Sequence, residues 1–541
     1  MSNRNGLVEM TRYGPIRKRG LTSVQAALIA AIVVIIILAA VVGILAMRRP
    51  VTAPTTSTTT SAATSVTFYT WWATEGKIAL SHEIPAINSM TGLTLTPEIV
   101  PGAGGTNAKY AILALVEAGK PPAAFQVHYG PEMISYVEAA PNGIHSFLNM
   151  TTYAAQWGLT TNAVPAVLQA GAFNGTLLSI PVNVHRGALL WVNNKVLREY
   201  NLPFPTNFTL LVSDTLQLAK DGVTPWMVPG ADGGWDQLNL WEDIFLALAG
   251  PKLYNEIIYG VLPLSNTTVQ SLIQETNYWF LNFTSYSYPG ELSLSWTQGL
   301  TDLIQGKVAF QANGNWLTNY AYDFDNTTAY PPLAQYLDNS SITLIETPFS
   351  GTQGYYALVI DSVGIPVGPQ QQQALQIAHA WSSYQGQKVW TQWKAVTYYK
   401  NATDYYNTPA QWYDYQQLLS TPEGDFVYQL SDGGLFDDVF ATLNSGLLTL
   451  QEVGPSGLNA WNSTLTSALH QEEQEWLSAA KIGLGYLGFP GQPFAGYYPP
   501  WVENPSAYGL ASYKSTQASP QVYYLLAAIF VAVPECAKIR L

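Results

Sequence analysis

The order of hydrophobic patterns after residue 65 is the strongest constraint on this chain. Residues 66–72, VTFYTWW, alternate like a strand. Residues 77–91 read as a helix that stops near Gly92, and LTLTPEIV (93–100) as a second strand. Asn107 to Ala118 then read as a helix stopped by Gly119, and AAFQVHYG (123–130) as a third strand. Strands that alternate with helices predict a parallel sheet with helices on its faces. In such open sheets ligands bind beyond the carboxyl ends of the strands. That rim gathers Trp71, Trp72 and Glu75 after the first strand, GAGG (102–105) after the second, and Gln126 and His128 at the end of the third. No nucleotide motif accompanies the glycines, so a tight turn presenting backbone N–H groups is their expected role. Neighbouring side chains in a strand point to opposite faces. One indole of the Trp pair is therefore expected to secure the strand end while the other faces the rim, with Trp72 assigned to the rim.

At 541 residues the chain needs two or more lobes. Its residues are 48% hydrophobic and only 11% charged, so the core supply is ample and the surface must be polar through Ser, Thr, Asn, Gln and Tyr. A net charge of −13 argues against nucleic acid as a partner. The single cysteine, Cys536, rules out an internal disulfide and a cysteine-based zinc site. The six histidines lack HExxH spacing, and no GxxxxGK[ST] loop is present, so neither a metal nor another cofactor is expected. Low charge with acidic excess suits an acidic exterior, and ligand affinity is expected to persist from pH 7 down to pH 3.

The N-terminus reads as a membrane end. Ala26 to Met47 is a 22-residue run without charge, enough to cross a hydrocarbon core of about 30 Å. Arg12, Arg17, Lys18 and Arg19 precede it, which places the body outside. The junction RKRGLTS (17–23) resembles the class III, pilin-type signal of archaeal sugar-binding proteins. That resemblance implies a leader of residues 1–20, cut after Gly20 by a class III signal peptidase, and an anchor at 21–49. A plain uncleaved signal anchor is the other reading. Residues 50–65 are a Ser/Thr-rich linker that cannot bury enough apolar surface to fold. Nine N-x-[ST] sequons, from Asn149 to Asn462, fit an exported, glycan-coated surface. Residues 516–541 form an apolar tail whose run at 521–533 is short for a span.

Five segments occur in a telling order: FYTWWATEG, GKPPAAFQVHYG, SIPVNVHRGALLWV, LSWTQGLTDLIQGKVAFQANGNW and PFSGTQGYYALVIDSVGIPVG. Together they resemble the carbohydrate-binding proteins of ABC importers, extracellular solute-binding family 1, and among these the glucose-binding proteins of thermophiles. The resemblance implies an α/β, two-lobed periplasmic-binding-protein-like fold of type II, with discontinuous lobes and a hinge. Residues 66–184 and 345–395 are assigned to one lobe, and 185–344 and 396–515 to the other. It also implies a monosaccharide captured in the cleft and passed to a permease driven by ATPase subunits. A pyranose offers apolar C–H faces and a ring of hydroxyls, which suit aromatic faces and charged or amide groups. By resemblance, Trp72 or Trp71 stacks on the sugar, with Glu75, Gln126 and His128 on its hydroxyls. Trp235, Trp316, Asp361 and Lys394 correspond to cleft residues, while Trp241 reads as cleft or core. Asn315 stands where relatives carry Asp, and Asp432 where a glucose-binding relative has His. His185, beside Arg186 at the first lobe crossing, reads as a ligand contact or as half of a buried structural pair.

Two rival classes follow from the same residues. A secreted carbohydrate hydrolase needs two carboxylates flanking the sugar, and Glu75 with Asp361 are the available nominees. A surface-assembly protein is permitted by the pilin-type leader.

Overall fold

The structure, a computed structural model, describes residues 65–102, 105–258, 262–402 and 406–484. The expected leader, anchor and apolar tail, and the linker up to residue 64, lie outside the described residues. Among the described residues no helix is long and apolar enough to cross a membrane.

Thirteen strands position the site. In chain order they are β1 (Ser65–Thr70), β2 (Thr94–Ile99), β3 (Ala124–His128), β4 (Ser179–Pro181), β5 (His185–Gly187), β6 (Leu189–Asn193) and β7 (Trp226–Met227). Then come β8 (Phe310–Asn313), β9 (Ala329–Tyr330), β10 (Leu344–Pro348), β11 (Tyr356–Val359), β12 (Asp361–Gly364) and β13 (Phe426–Tyr428). The helices used below are α1 (Glu75–Thr91), α2 (Thr106–Glu117), α3 (Pro131–Ala139), α4 (Trp235–Ile258) and α5 (Trp296–Ile304). They continue with α6 (Trp316–Asp323), α7 (Tyr384–Trp393), α8 (Pro409–Ser420) and α9 (Asp437–Val453).

The first lobe is built on a sheet of order β2-β1-β3-β12-β4. β1 pairs in parallel with β2 and β3, as the alternation predicts, and β12 enters antiparallel beside β3. Val66 and Phe68 are buried in one core cluster with Ile87 of α1, Trp381 and Trp390, and the Phe68 ring lies 5.2 Å from that of Trp381. Helix α1 ends at Gly92, whose φ of 70° is the left-handed cap that glycine accepts without a side-chain penalty. The second lobe carries the sheet β9-β10-β6-β8-β7.

Three stretches cross between the lobes. Their strands β5, β11 and β13 form a small sheet of order β13-β11-β5. Strand pairing and core packing suggest where the chain passes from one lobe to the other. β10 pairs with β6 along Leu344 to Pro348, which keeps this strand in the sheet of the second lobe. Val396 bridges Val184, and Tyr398, Tyr399 and Leu418 pack in the first-lobe core, so that lobe runs well beyond residue 395. The third crossing, β13, then returns the chain to α9. A division by linear position misses this because the apolar residues after 395 carry no mark of the lobe they join.

Candidate binding cleft

A cavity of about 240 Å³ opens between the two lobes beside the three-stranded hinge sheet. Ligand sites for drug-sized molecules run to about 300–1,000 Å³, so the space suits a smaller solute. The first lobe contributes Trp71, Trp72, Glu75, His128, Asp361 and Lys394; the hinge contributes His185 and Val359. Asp232, Trp235, Trp296, Trp316 and Asp432 close the far side. Glu75, Trp235, Trp296 and Trp316 are each the first residue of a helix, namely α1, α4, α5 and α6. Four helix N-termini thus present side chains to one space; α1, α4 and α6 follow the strands β1, β7 and β8, as expected for ligand sites at the carboxyl ends of strands.

Both indoles of the Trp pair border the cavity, and they differ in how deeply they are buried. Trp72 is 3% exposed and packs against Phe68, Trp381 and Trp390, with ring centroids 5.8, 5.7 and 4.7 Å away. Trp71 is only half-buried and faces the cleft, its ring 5.1 Å from that of His128. Trp72 also borders the cavity, but its deeper packing favours Trp71 over Trp72 as the cleft platform. The sequence held the signal: Val66, Phe68 and Trp72 share one parity, and that parity is the core face. Gly105 explains part of the glycine run. Its φ is 94°, and a Cβ there would stand 3.0 Å from the Trp71 ring, so glycine makes room for the indole.

The polar groups form one connected frame. Asp361 is the hub. Its carboxylate accepts from Gln126 Nε2 at 2.7 Å and Asn183 Nδ2 at 3.0 Å, and His185 Nε2 lies 3.5 Å away. Burial works to raise its pKa, but the His185 hydrogen bond and the nearby Lys394 hold it well below the ordinary carboxylate range. His185 is shifted the other way, its pKa lowered by burial and by Lys394. Lys394 donates to Glu75 at 3.0 Å, and His128 Nδ1 lies 2.7 Å from Glu132. Across the cleft, Trp235 Nε1 donates to Asp432 at 3.0 Å, and burial pushes the Asp432 carboxyl up to about 7.

Two expected contacts stand one layer back. Gln126 is fully buried outside the cleft lining, where its amide orients Asp361 while accepting from Thr70 Oγ1 and the Trp71 N–H. Asn315 is 1% exposed and bridges His185 Nδ1, at 2.6 Å, to Asp414 of α8, at 2.9 Å. β3 and the turn before α6 direct both side chains into the protein, away from the cavity lining. Arg186 is structural: it pairs with Asp414 at 3.2 Å and lies over the Tyr356 ring at 5.0 Å. Trp241 is core, stacked on Phe245 at 5.3 Å.

Asp232 and Trp296 were not anticipated. Asp232 accepts the Trp296 N–H at 2.8 Å, and Trp296 opens a helix held by a Ser295–Gln298 capping box. That Ser-x-x-Gln signature ahead of an apolar run is legible in sequence as a helix start. Among the described residues no group of three or more His, Cys, Asp or Glu side chains is arranged to hold a metal ion.

Two α/β lobes joined by three crossing strands around a cleft lined by aromatic and hydrogen-bonding groups define a solute receptor of the two-lobed periplasmic-binding class. The chain belongs to the bacterial extracellular solute-binding protein family, matching it over residues 85–362. It is 70% identical over 470 residues to the glucose-binding protein GlcS of Saccharolobus solfataricus, covering 87% of this chain and 84% of that one. An uncharacterized ABC transporter extracellular-binding protein of Pyrococcus horikoshii is 25% identical over 430 residues, 75% of this chain and 89% of the relative. Among solved structures, a chitin oligosaccharide binding protein superposes with a TM-score of 0.63 at 16% identity, covering 76% of this chain and all of that one. The bacterial solute receptor AcbH, described by its preference for β-D-galactopyranose, gives 0.60 at 13% identity over 76% of this chain and 98% of that one.

Proposed function

We propose that this protein captures a glucose-type monosaccharide in its interlobe cleft and delivers it to an ABC importer. The observation that carries this reading is the pairing of Trp71 with a frame of charged side chains facing three more indoles across a small cavity. Trp71 offers an apolar face to the C–H side of a pyranose, and Glu75, His128, Asp361 and Lys394 supply charge-assisted hydrogen bonds to hydroxyls. The 70% identity to a glucose-binding protein supports glucose as the sugar. Titration calorimetry against glucose, galactose, mannose, arabinose and short oligosaccharides tests it. Glucose is expected to bind most tightly and to remain unconverted; no heat with any sugar contradicts the reading, and turnover of an oligosaccharide favours the hydrolase.

The receptor reading extends to the N-terminus. A class III signal peptidase would cut after Gly20 and leave the apolar run of 21–49 to hold the body on the outer face of the membrane. Ala26 to Met47 supports this by its length and lack of charge. Mass spectrometry of the mature protein is expected to find Leu21 first; a chain that begins at Met1 contradicts the cleavage.

A further inference from the structure

Lys109 of α2 touches the cleft platform without lining the cleft. Its side chain is 4% exposed, and Nζ stands 5.7 Å from the centroid of the Trp71 ring. Within the first lobe it pairs with Glu132 of α3 at 2.8 Å, and Glu132 also holds His128 of the cleft wall. Toward the second lobe it reaches two residues of α9. Nζ is 3.8 Å from Asp437, the first residue of that helix, and 4.8 Å from the Phe440 ring centroid.

A buried ammonium is tolerated only when it is paired. Burial pulls the Lys109 pKa down, but Glu132 and Asp437 outweigh it and leave the group raised; Asp437 itself is pushed up to about 7 by burial and by Glu132, so Glu132 is the stronger partner. Burial likewise works against Glu132, yet Lys109 and His128 hold that carboxylate down at about 2. The charged pair Lys109–Glu132 is thus fixed to the first lobe, while Asp437 and Phe440 are the surfaces it meets when α9 is docked.

We propose that Lys109 is a positioning residue that couples the sugar platform to lobe closure, bracing the Trp71 indole from one lobe while it grips α9 of the other. Seating a pyranose on Trp71 and docking α9 then favour one another, because each is completed by the same ammonium. Ligand-driven hinge closure needs such a difference in contacts between the open and closed states. This inference rests on the sugar-receptor reading above.

The test uses the full chain with Lys109→Met, which keeps the stem and removes the charge, Asp437→Asn on the opposing helix, and Lys109→Arg. Each is titrated with the tightest of glucose, galactose and mannose, and its radius of gyration is measured by X-ray scattering with and without that sugar. The wild type is expected to compact on binding. Lys109→Met and Asp437→Asn are expected to bind about tenfold more weakly and to compact less, with Lys109→Arg restoring most of both, a coupling of ordinary size. A merely structural pair would lower the melting temperature yet leave affinity and compaction at wild-type values, and that result overturns the inference. If Lys109→Met does not fold, Asp437→Asn decides by the same readouts. A wild type that binds none of the sugars overturns the receptor reading, and this inference with it.

Discussion

Trp71→Ala is expected to weaken sugar binding about 50-fold while the protein melts close to its wild-type temperature. The indole is half-buried at the cleft and contributes stacking plus apolar burial on the ring, together on the order of 2 kcal/mol. Trp72→Ala is expected to do the reverse. Its indole lies inside a cluster with Phe68, Trp381 and Trp390, and truncation leaves a cavity that costs about 3–5 kcal/mol. Affinity measured on the folded fraction of Trp72→Ala should change far less than for Trp71→Ala. The opposite split, with Trp72→Ala losing sugar at unchanged stability, would return the platform to Trp72.

The second large effect is on pH. Many carboxyls here are buried without a cationic partner. Both oxygens of Glu83 and of Asp243 lack any hydrogen-bond partner, and burial raises both groups well above ordinary values. Burial likewise takes Asp432 and Glu242 to about 7. A carboxyl raised in the fold contributes stability that is full below its unfolded value, near 4, and is lost as pH rises through the folded value. Glu132 and Asp361 act in the opposite sense. They are held low by His and Lys neighbours despite burial, so their contribution is full above about pH 4 and fades only as pH falls toward about 2 for Glu132. Raised groups outnumber lowered ones, so stability should peak in mild acid. The melting temperature at pH 4 is expected to exceed that at pH 8 by about 10 °C. A flat profile, or one that rises toward pH 8, would show that these carboxyls are ionised in the fold. Because Asp361 stays ionised in acid, the frame it forms with Gln126, Asn183 and His185 should also persist.

The first lobe was legible because its opening is local. Each of β1, β2 and β3 alternates or runs apolar over several residues, and each helix between them ends on glycine, so period and punctuation suffice. The lobe boundaries were not legible, because membership of Tyr398 or Leu418 is decided by contacts with residues more than a hundred positions away. The site divided in the same way. The family resemblance, together with residue type, pointed to Trp71, Glu75, His128, Asp361 and Lys394 as cleft groups. It could not separate them from Gln126 and Asn315, whose amides are equally able to bind hydroxyls but are turned inward by the backbone. Asp361 draws its partners from positions 126, 183 and 185, a convergence that only the folded chain displays. Trp296 escaped notice although its capping box was readable, because a helix start by itself says nothing about which space it faces.

Trp71 and the Asp361 frame are expected to hold a sugar between the lobes. A crystal structure of the protein grown with saturating glucose tests it most directly. One pyranose is expected in the cleft, its C–H face on Trp71 and its hydroxyls within hydrogen-bond distance of Asp361 and Lys394. An empty cleft at saturating glucose, or a sugar bound elsewhere with Trp71 uncovered, would contradict it.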